Sequence, residues 1–402
     1  MFSKSLSLLG LAALPASFAD HVHDHSSTIT WASPTNLPLA RSDLTATVAS
    51  STASGVGSEK IFLVGGCDAE AQIAADWGGY FCPSVTNRCD AYDPVTDTYS
   101  DCADAPQPRY RHAAANVNGK IFLVGGSDPM DAAVKDIEVY DPIADSWSVY
   151  GTWEGATSDL AAFAIGTDLY VVGGYDVTDF AFTAQTAMFK IDTTLDELSL
   201  EAAEPLNTGR GDIFAAVADN HAYVTGGFTH EDSWCSPHAS VERIDLANPS
   251  AGWEVVESTA YNRGDKALVH MNGFIYAVGG ETKEGCDGEA SGTTKPVEHV
   301  EVYDVSTGKW VEDTVIPEET FRFVAVGHEA SDSIFIFGGQ NYHDETCDCY
   351  PISDEVLKFT DSSWVIDILD DVNGSGPGFK PGLSAGAGLA SLFTAAMLFM
   401  YI

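Results

Sequence analysis

Short runs of apolar, β-branched and aromatic residues recur along the chain, and each of them ends in two glycines. The copies are KIFLVGG at 60–66, KIFLVGG at 120–126, LYVVGG at 169–174, AYVTGG at 222–227, IYAVGG at 275–280 and IFIFGG at 334–339. A run so short, apolar at consecutive positions, reads as a strand buried on both faces. Glycine closes it where a residue with a Cβ resists the turn. The pairs are Gly65-Gly66, Gly125-Gly126, Gly173-Gly174, Gly226-Gly227, Gly279-Gly280 and Gly338-Gly339, spaced by 60, 48, 53, 53 and 59 residues.

A second apolar segment follows each pair and carries Tyr92-Asp93, Tyr140-Asp141, Ile191-Asp192, Ile244-Asp245, Tyr303-Asp304 and, degraded, Phe359-Thr360. Five to nine positions later stands a bulky apolar residue: Tyr99, Trp147, Leu198, Trp253, Trp310 and Trp364. The pattern predicts a short hairpin whose large side chains pack between neighbouring sheets. Ahead of every pair lies one more apolar segment, such as Arg111 to Val117 or Phe323 to Glu329. The chain therefore reads as all-β, with six copies of a four-stranded unit at a period near 50 residues.

Glycine doublet, tyrosine, then tryptophan, in register over residues 28–369, resembles the Kelch repeat. The resemblance implies a six-bladed Kelch-type β-propeller with four antiparallel strands per blade. The copy at 157–200 departs most, lacking both tyrosine and tryptophan, and the sixth has lost its aspartate. Trp31 stands 10 residues before Arg41, as Trp253 stands before Arg263. Thr28 to Ala32 thus resembles the outer strand of the blade that the C-terminal repeat begins, while Ser363 to Asp367 offers a second way to complete that blade.

Composition agrees with an all-β chain: 37 glycines, 45% hydrophobic residues and only 19% charged ones. Acidic residues outnumber basic ones 59 to 19, a formal charge of −40, which repels nucleic-acid phosphates and anionic membrane surfaces. Nucleic acid is excluded as a partner, and a monomer in an extracellular medium or a cationic partner fits. Residues 1–19 read as a signal peptide, with Lys4, an apolar stretch from Leu6 to Leu14 and Ser17-Phe18-Ala19 at the cleavage site. Residues 20–27 form a His/Asp-rich leader. Residues 370–382 form a Gly/Pro-rich stalk, and 383–402 a hydrophobic tail. Small residues Asn373-Gly374-Ser375 ahead of that tail match a glycosylphosphatidylinositol attachment signal. A membrane-spanning helix is the alternative, although nothing basic follows Ile402 to hold a cytoplasmic end. Either reading places the propeller on the outer face of the plasma membrane.

Eight cysteines suit an oxidising compartment. If Pro94 to Asp97 is a hairpin turn, Tyr92 faces Tyr99 and Cys89 faces Cys102, predicting that disulfide. Cys67–Cys82 is assigned within the first long loop and Cys235–Cys286 between neighbouring blades. Cys347-Asp348-Cys349 is the only close pair, so no zinc site is expected.

Counting 16 residues back from each glycine pair reaches Arg109, Arg210, Arg263 and Arg322, with Arg41 in the same place across an insertion and Thr157 in the third copy. Two positions on lie Asp43, Arg111, Asp159, Asp212, Asp265 and Val324. Alternate strand residues share a face, so arginines and aspartates of successive blades are expected to form one ring. By the Kelch resemblance, the connections into the inner strands and the loops after the glycine pairs make a binding rim, on which Arg111 engages an acidic partner. The other reading is that these Arg–Asp pairs satisfy each other and fix adjacent blades. Arg210-Gly211-Asp212 and Arg263-Gly264-Asp265 spell an integrin-recognition tripeptide, but the related Arg41-Ser42-Asp43 assigns it to the repeat rather than to adhesion.

No cofactor is expected. His21, His23 and His25 could hold copper, and Asp128, Asp131, Asp287, Glu289, Asp344 and Glu345 could hold calcium, without an organising motif. The copper set of enzymatic Kelch relatives is not matched, because His112, His221, His270 and His328 fall at different offsets from their glycines. The function read from the chain is recognition of an extracellular protein or glycan ligand, with no catalytic residue assigned. The alternatives are a secreted mutarotase or epimerase for an acidic sugar, using Arg111 and Asp159, and a structural wall or coat protein.

Overall fold

The computed structural model describes residues 29–52, 59–73, 80–155, 157–192, 197–229, 237–284 and 293–361. The signal peptide, His21, His23, His25, Cys235, Cys286, Asp287, Glu289, Trp364, Asn373-Gly374-Ser375 and the hydrophobic tail lie outside the described residues.

Each repeat folds as one antiparallel sheet. The innermost strands are Thr45–Ser50, Ala113–Val117, Ala161–Ile165, Phe214–Ala218, Ala267–Met271 and Val324–His328. They neighbour one another in sequence order, and the first also contacts the last, closing a ring of six. The glycine-ended runs form the second strands, for example Lys120–Val124, and the Tyr-Asp segments the third, for example Asp136–Asp141. The architecture is a six-bladed Kelch-type β-propeller with four antiparallel strands per blade.

Closure uses the amino-terminal strand. Ile29–Ala32 pairs antiparallel with Val356–Asp361, Trp31 opposite Phe359, and supplies the outer strand of the last blade. A second tie lies in the loops, where Cys349–Tyr350 of blade six pairs with Ala71–Ile73 of blade one.

The apolar core lies between blades rather than within them. Phe122, Val124 and Ile137 of blade two pack against Leu169, Val171 and Phe189 of blade three, and four other pairs of neighbouring blades repeat the scheme. Such contact brings backbone against backbone at the glycine pairs. Gly226 and Gly227 have φ of 70° and 83°, and an added Cβ on either would stand 2.3 Å from a carbonyl oxygen, of Arg263 and Gly211 respectively. No L side chain fits there.

The tyrosine, aspartate and tryptophan of the repeat have separate jobs. Asp93 Oδ1 accepts from the N–H groups of Val95 and Thr96 and shapes the outer hairpin turn, as Asp141 and Asp304 do in their blades. Tyr92 donates to Asp97 Oδ1 at 2.8 Å. The indole N–H groups of Trp147, Trp253 and Trp310 donate to the carbonyls of Ala103, Glu204 and Glu257, on the connection from the preceding blade. Leu198 of blade three keeps only the packing.

Among the described residues, no helix is long and apolar enough to cross a membrane. One short 3-10 turn, Glu329–Ser331, sits in the first hairpin of blade six between Val324–His328 and Ser333–Phe337. Blade two spends only Asn118-Gly119 on the same turn. That hairpin is therefore longer by two residues, which changes the register of everything counted back from Gly338.

Candidate functional site at the channel mouth

The expected ring of alternating arginine and aspartate separates into two sets. Arg41, Arg109, Arg210 and Arg263 are fully buried. Each pairs with an acid on the third strand of its own blade: Asp90 at 2.5 Å, Glu138 at 2.9 Å, Glu242 at 2.8 Å and Glu301 at 2.7 Å. Remaining guanidinium nitrogens donate to carbonyls, as Arg210 Nη1 does to Gly226 at 3.0 Å and Ser240 at 3.1 Å. Burial lowers the pKa of Arg109 and raises that of Glu138, while each partner's charge opposes the change. These four arginines are pins inside the blades and do not reach the rim.

The residues two positions on are set apart by their backbone. Asp43, Arg111, Asp159, Asp212, Asp265 and Arg322 have φ between 48° and 57°. A left-handed residue breaks the alternation of an extended strand, which is why arginine and aspartate of one triplet do not share a face. The ring is tied by its own backbone: the N–H of Asp43 donates to the Arg322 carbonyl at 3.0 Å, Arg111 to Asp43 at 3.0 Å, Asp159 to Arg111 at 2.9 Å, Asp212 to Asp159 at 2.9 Å and Asp265 to Asp212 at 2.9 Å. Arg322 is thus a ring member, not a pin. Thr320 occupies the pin position of blade six, and Val324 has no place in the ring, because the longer hairpin shifts the count.

The six ring residues line one end of a central cavity of about 320 Å³. This is the end from which the loops after the glycine pairs emerge. Just inside the ring the wall is Ala46, Ala114, Ala162, Ala215, Leu268 and Ala325. Arg111 Nε stands 3.6 Å from both Asp43 Oδ1 and Asp159 Oδ1, so it bridges two neighbouring blades. Arg322 Nε is 3.3 Å from Asp265 and 3.1 Å from Glu281. Burial disfavours charge on Arg111, yet Asp159 and Asp43 beside it raise its pKa. Asp212 and Asp265 are pushed well above the usual carboxylate range, by burial first and then by acids around them; Arg322 opposes this at Asp265 and Arg111 at Asp212. Lys283, whose pKa burial lowers, is the further cation facing Asp212, Asp265 and Glu281.

His112 and His270 line the channel, and His221 and His328 do not, so the four histidines do not converge. The two Arg-Gly-Asp triplets are folded in: Arg210 and Arg263 are buried, and a Cβ on Gly211 or Gly264 would strike the ring of Phe182 or Phe228. Asp128 and Asp344 spend Oδ1 on backbone N–H groups of their own loops, and Asp131 accepts from the Tyr110 hydroxyl. Cys67 is bonded to Cys82 and Cys89 to Cys102. A further disulfide, Cys347–Cys349, escaped the sequence reading.

So did the acids that hold the pins. They are visible once aligned: Asp90, Glu138, Glu242 and Glu301 each stand two residues before Tyr92, Tyr140, Ile244 and Tyr303. Blades three and six carry Phe189 and Leu357 there, and these same blades replace the arginine by Thr157 and Thr320. Lys266, fully buried and, among the described residues, hydrogen-bonded to Thr259 Oγ1 alone at 3.4 Å, was also missed.

The ring of sheets and its glycine-pair contacts define a propeller of the Kelch type, and comparison with known proteins agrees. The Kelch motif matches residues 108–152, most of blade two. "Kelch-like protein 7" of Rattus norvegicus is 32% identical over 93 residues, 23% of this chain and 15% of its own. "Kelch-like protein terF" of Aspergillus terreus is 25% identical over 183 residues, 43% of this chain and 39% of its own. "Alpha-scruin" of Limulus polyphemus is 23% identical over 223 residues, 55% of this chain and 23% of its own. The match and these relatives support a Kelch-repeat protein, and the chain spans well under half the length of each relative.

Proposed function

We propose that the chain is an extracellular, cell-surface recognition module that binds a protein or glycan ligand across the channel mouth and its surrounding loops. The observation that carries this reading is the mouth itself: six charged side chains around a ring whose backbones hydrogen-bond at five of its six junctions, each in a left-handed conformation, over a cavity. Aspartate tolerates that conformation, but arginine does so at a cost, and such strain persists where it serves a site. Large apolar side chains also stand in solvent on the same rim. Met130 is 84% exposed and Phe180 70%, on the loops after the second and third glycine pairs. Anchors of this kind are common at protein interfaces. Kelch-like relatives favour a protein-binding role. Disulfides at the mouth loops and the signal-like residues 1–19 favour the outside of the cell.

The purified chain, screened on protein and glycan arrays, is expected to give hits that Arg111→Ala weakens about tenfold or more, since a buried charged partner is lost. Hits that survive this change would move the site away from the mouth. Phosphatidylinositol-specific phospholipase is expected to release the chain from cells through the anchor at Asn373-Gly374-Ser375; retention favours the membrane helix.

A further inference from the structure

We infer that the mouth receives a cationic side chain of a protein partner, the guanidinium of an arginine, on the arc formed by Asp159, Asp212 and Asp265. This rests on the recognition reading above and names the chemistry of its ligand.

The two arcs of the ring are unlike. On one, Arg322, Asp43 and Arg111 alternate in sign, and Asp43 Oδ2 also accepts from Ser42 Oγ at 2.7 Å and Gln340 Nε2 at 3.3 Å. On the other, three acids follow one another. Its two ends are engaged outward, Asp159 by Arg111 and Ser158, and Asp265 by Arg322. Asp212, between them, is 6% exposed and faces the cavity. Among the described residues its carboxylate makes neither a hydrogen bond nor an ion pair of its own.

A buried carboxylate without a partner is costly, and native structures rarely leave one. None of its neighbours bonds to it: Asp159, Asp265 and Glu281 are acids, and Arg111 and Lys283 act on it through charge alone, Arg111 standing against Asp43 and Asp159 and Lys283 donating to Thr294 Oγ1 at 2.6 Å. The upward direction of the Asp212 pKa agrees, because burial and the acids beside it outweigh the opposing charge of Arg111.

The geometry selects an organic cation over a metal ion. Among the described residues, the three carboxylates do not form a set whose ligand atoms all lie within 4.8 Å of one another. A guanidinium is planar, with donors spread over a fork, and can bridge carboxylates too far apart for one ion. The alanine wall below the ring strengthens its attraction by keeping the medium apolar. Phe180 projects from the loop of the blade that carries Asp159, so apolar contact is on hand for the chain bearing the arginine.

The test uses the full chain, purified in mild detergent, with the peptide acetyl-Gly-Arg-Arg-Gly-amide and its citrulline and glutamate counterparts, titrated by ligand-observed NMR. The arginine peptide is expected to bind, with Asp212→Asn and citrulline each weakening it about tenfold or more, the loss typical of a charged hydrogen-bonded pair. Asparagine keeps the shape of aspartate and accepts a left-handed backbone, so the variant should fold, and its thermal melt checks this. A formal charge of −40 draws any polycation weakly, but removing one of 59 acids barely alters that field. Equal binding by wild type and Asp212→Asn would therefore overturn the inference, as would no binding of the arginine peptide. Binding of the glutamate peptide instead, lost in Arg111→Ala, would overturn it while leaving recognition at the mouth intact.

Discussion

Arg210 and Asp212 are separated by one glycine and differ in almost everything else. The arginine is sealed inside its blade with Glu242, its donors matched to a carboxylate and to carbonyls. The aspartate is almost as deeply buried, yet it faces the channel and finds no partner. The same contrast holds at Arg263 and Asp265, where Asp265 borrows Arg322 from the next blade. One triplet thus supplies a pin and a mouth residue, because the left-handed backbone at its third position turns the last side chain out of the blade. A repeat can in this way hold its fold constant through the first residue and vary its ligand through the third.

The sharpest way to break this comparison is to cut a pin. Arg210→Ala leaves Glu242 buried and uncompensated, and should cost about 3–5 kcal/mol. Urea unfolding monitored by fluorescence would measure it, and a loss under about 1 kcal/mol would show that the pins matter no more than surface pairs. The double change Arg210→Leu with Glu242→Leu should recover only part of the loss, since apolar pairs often replace buried ion pairs without penalty, but here the Asn207 and Thr208 N–H groups lose the carboxylate they donate to. Blades three and six have already made such a replacement, with Thr157 and Phe189, and Thr320 and Leu357.

Those two blades also explain what could be read from the chain. The propeller was legible because the glycine pairs mark a close backbone approach that no other residue permits, six times over. Cys89–Cys102 was legible because Tyr92 opposite Tyr99 fixes the hairpin register. The register of Arg322 was not, because a count from Gly338 assumes a hairpin of constant length and the Glu329–Ser331 turn adds to it. Nor was the left-handed backbone of the ring, since aspartate at Asp43 and arginine at Arg111 carry no common signature for it. Cys347–Cys349 sits two residues apart in a loop, where no strand pairing argues for it.

A smaller effect tests the boundary between pin and mouth at Lys266. The residue packed beside the second glycine of each pair is Leu44, His112, Leu160, Ile213, Lys266 or Phe323. Four of these are apolar, and Lys266 places an ammonium in the same setting, where burial drives its pKa well below the usual 10.5. Lys266→Leu should stabilise the fold by about 1–3 kcal/mol at neutral pH, through removal of a poorly solvated charge. The gain should shrink as pH rises towards 10.5, because the folded state then no longer resists a charge that the unfolded chain also loses. A destabilised variant would mean that Lys266 serves Glu301 as a second cation, joining the pins.

The subtlest measurement separates the two arcs of the mouth. In the folded chain Asp212 binds its proton more readily than in the unfolded chain, so the contribution to stability is complete below pH 3.8 and is lost as pH rises through the folded value. Asparagine has no such loss and gives up no hydrogen bond that Asp212 makes. Asp212→Asn and wild type should accordingly melt alike near pH 3.8, and the variant should gain steadily towards neutral pH. Adding the arginine peptide should reverse the order, because a ligand stabilises only the protein that binds it, by RT ln(1 + [L]/Kd). If Asp212→Asn were instead the less stable protein at neutral pH without peptide, Lys283 would already be neutralising the arc. The mouth would then be as self-contained as the pins beneath it, with no vacancy for a partner's cation.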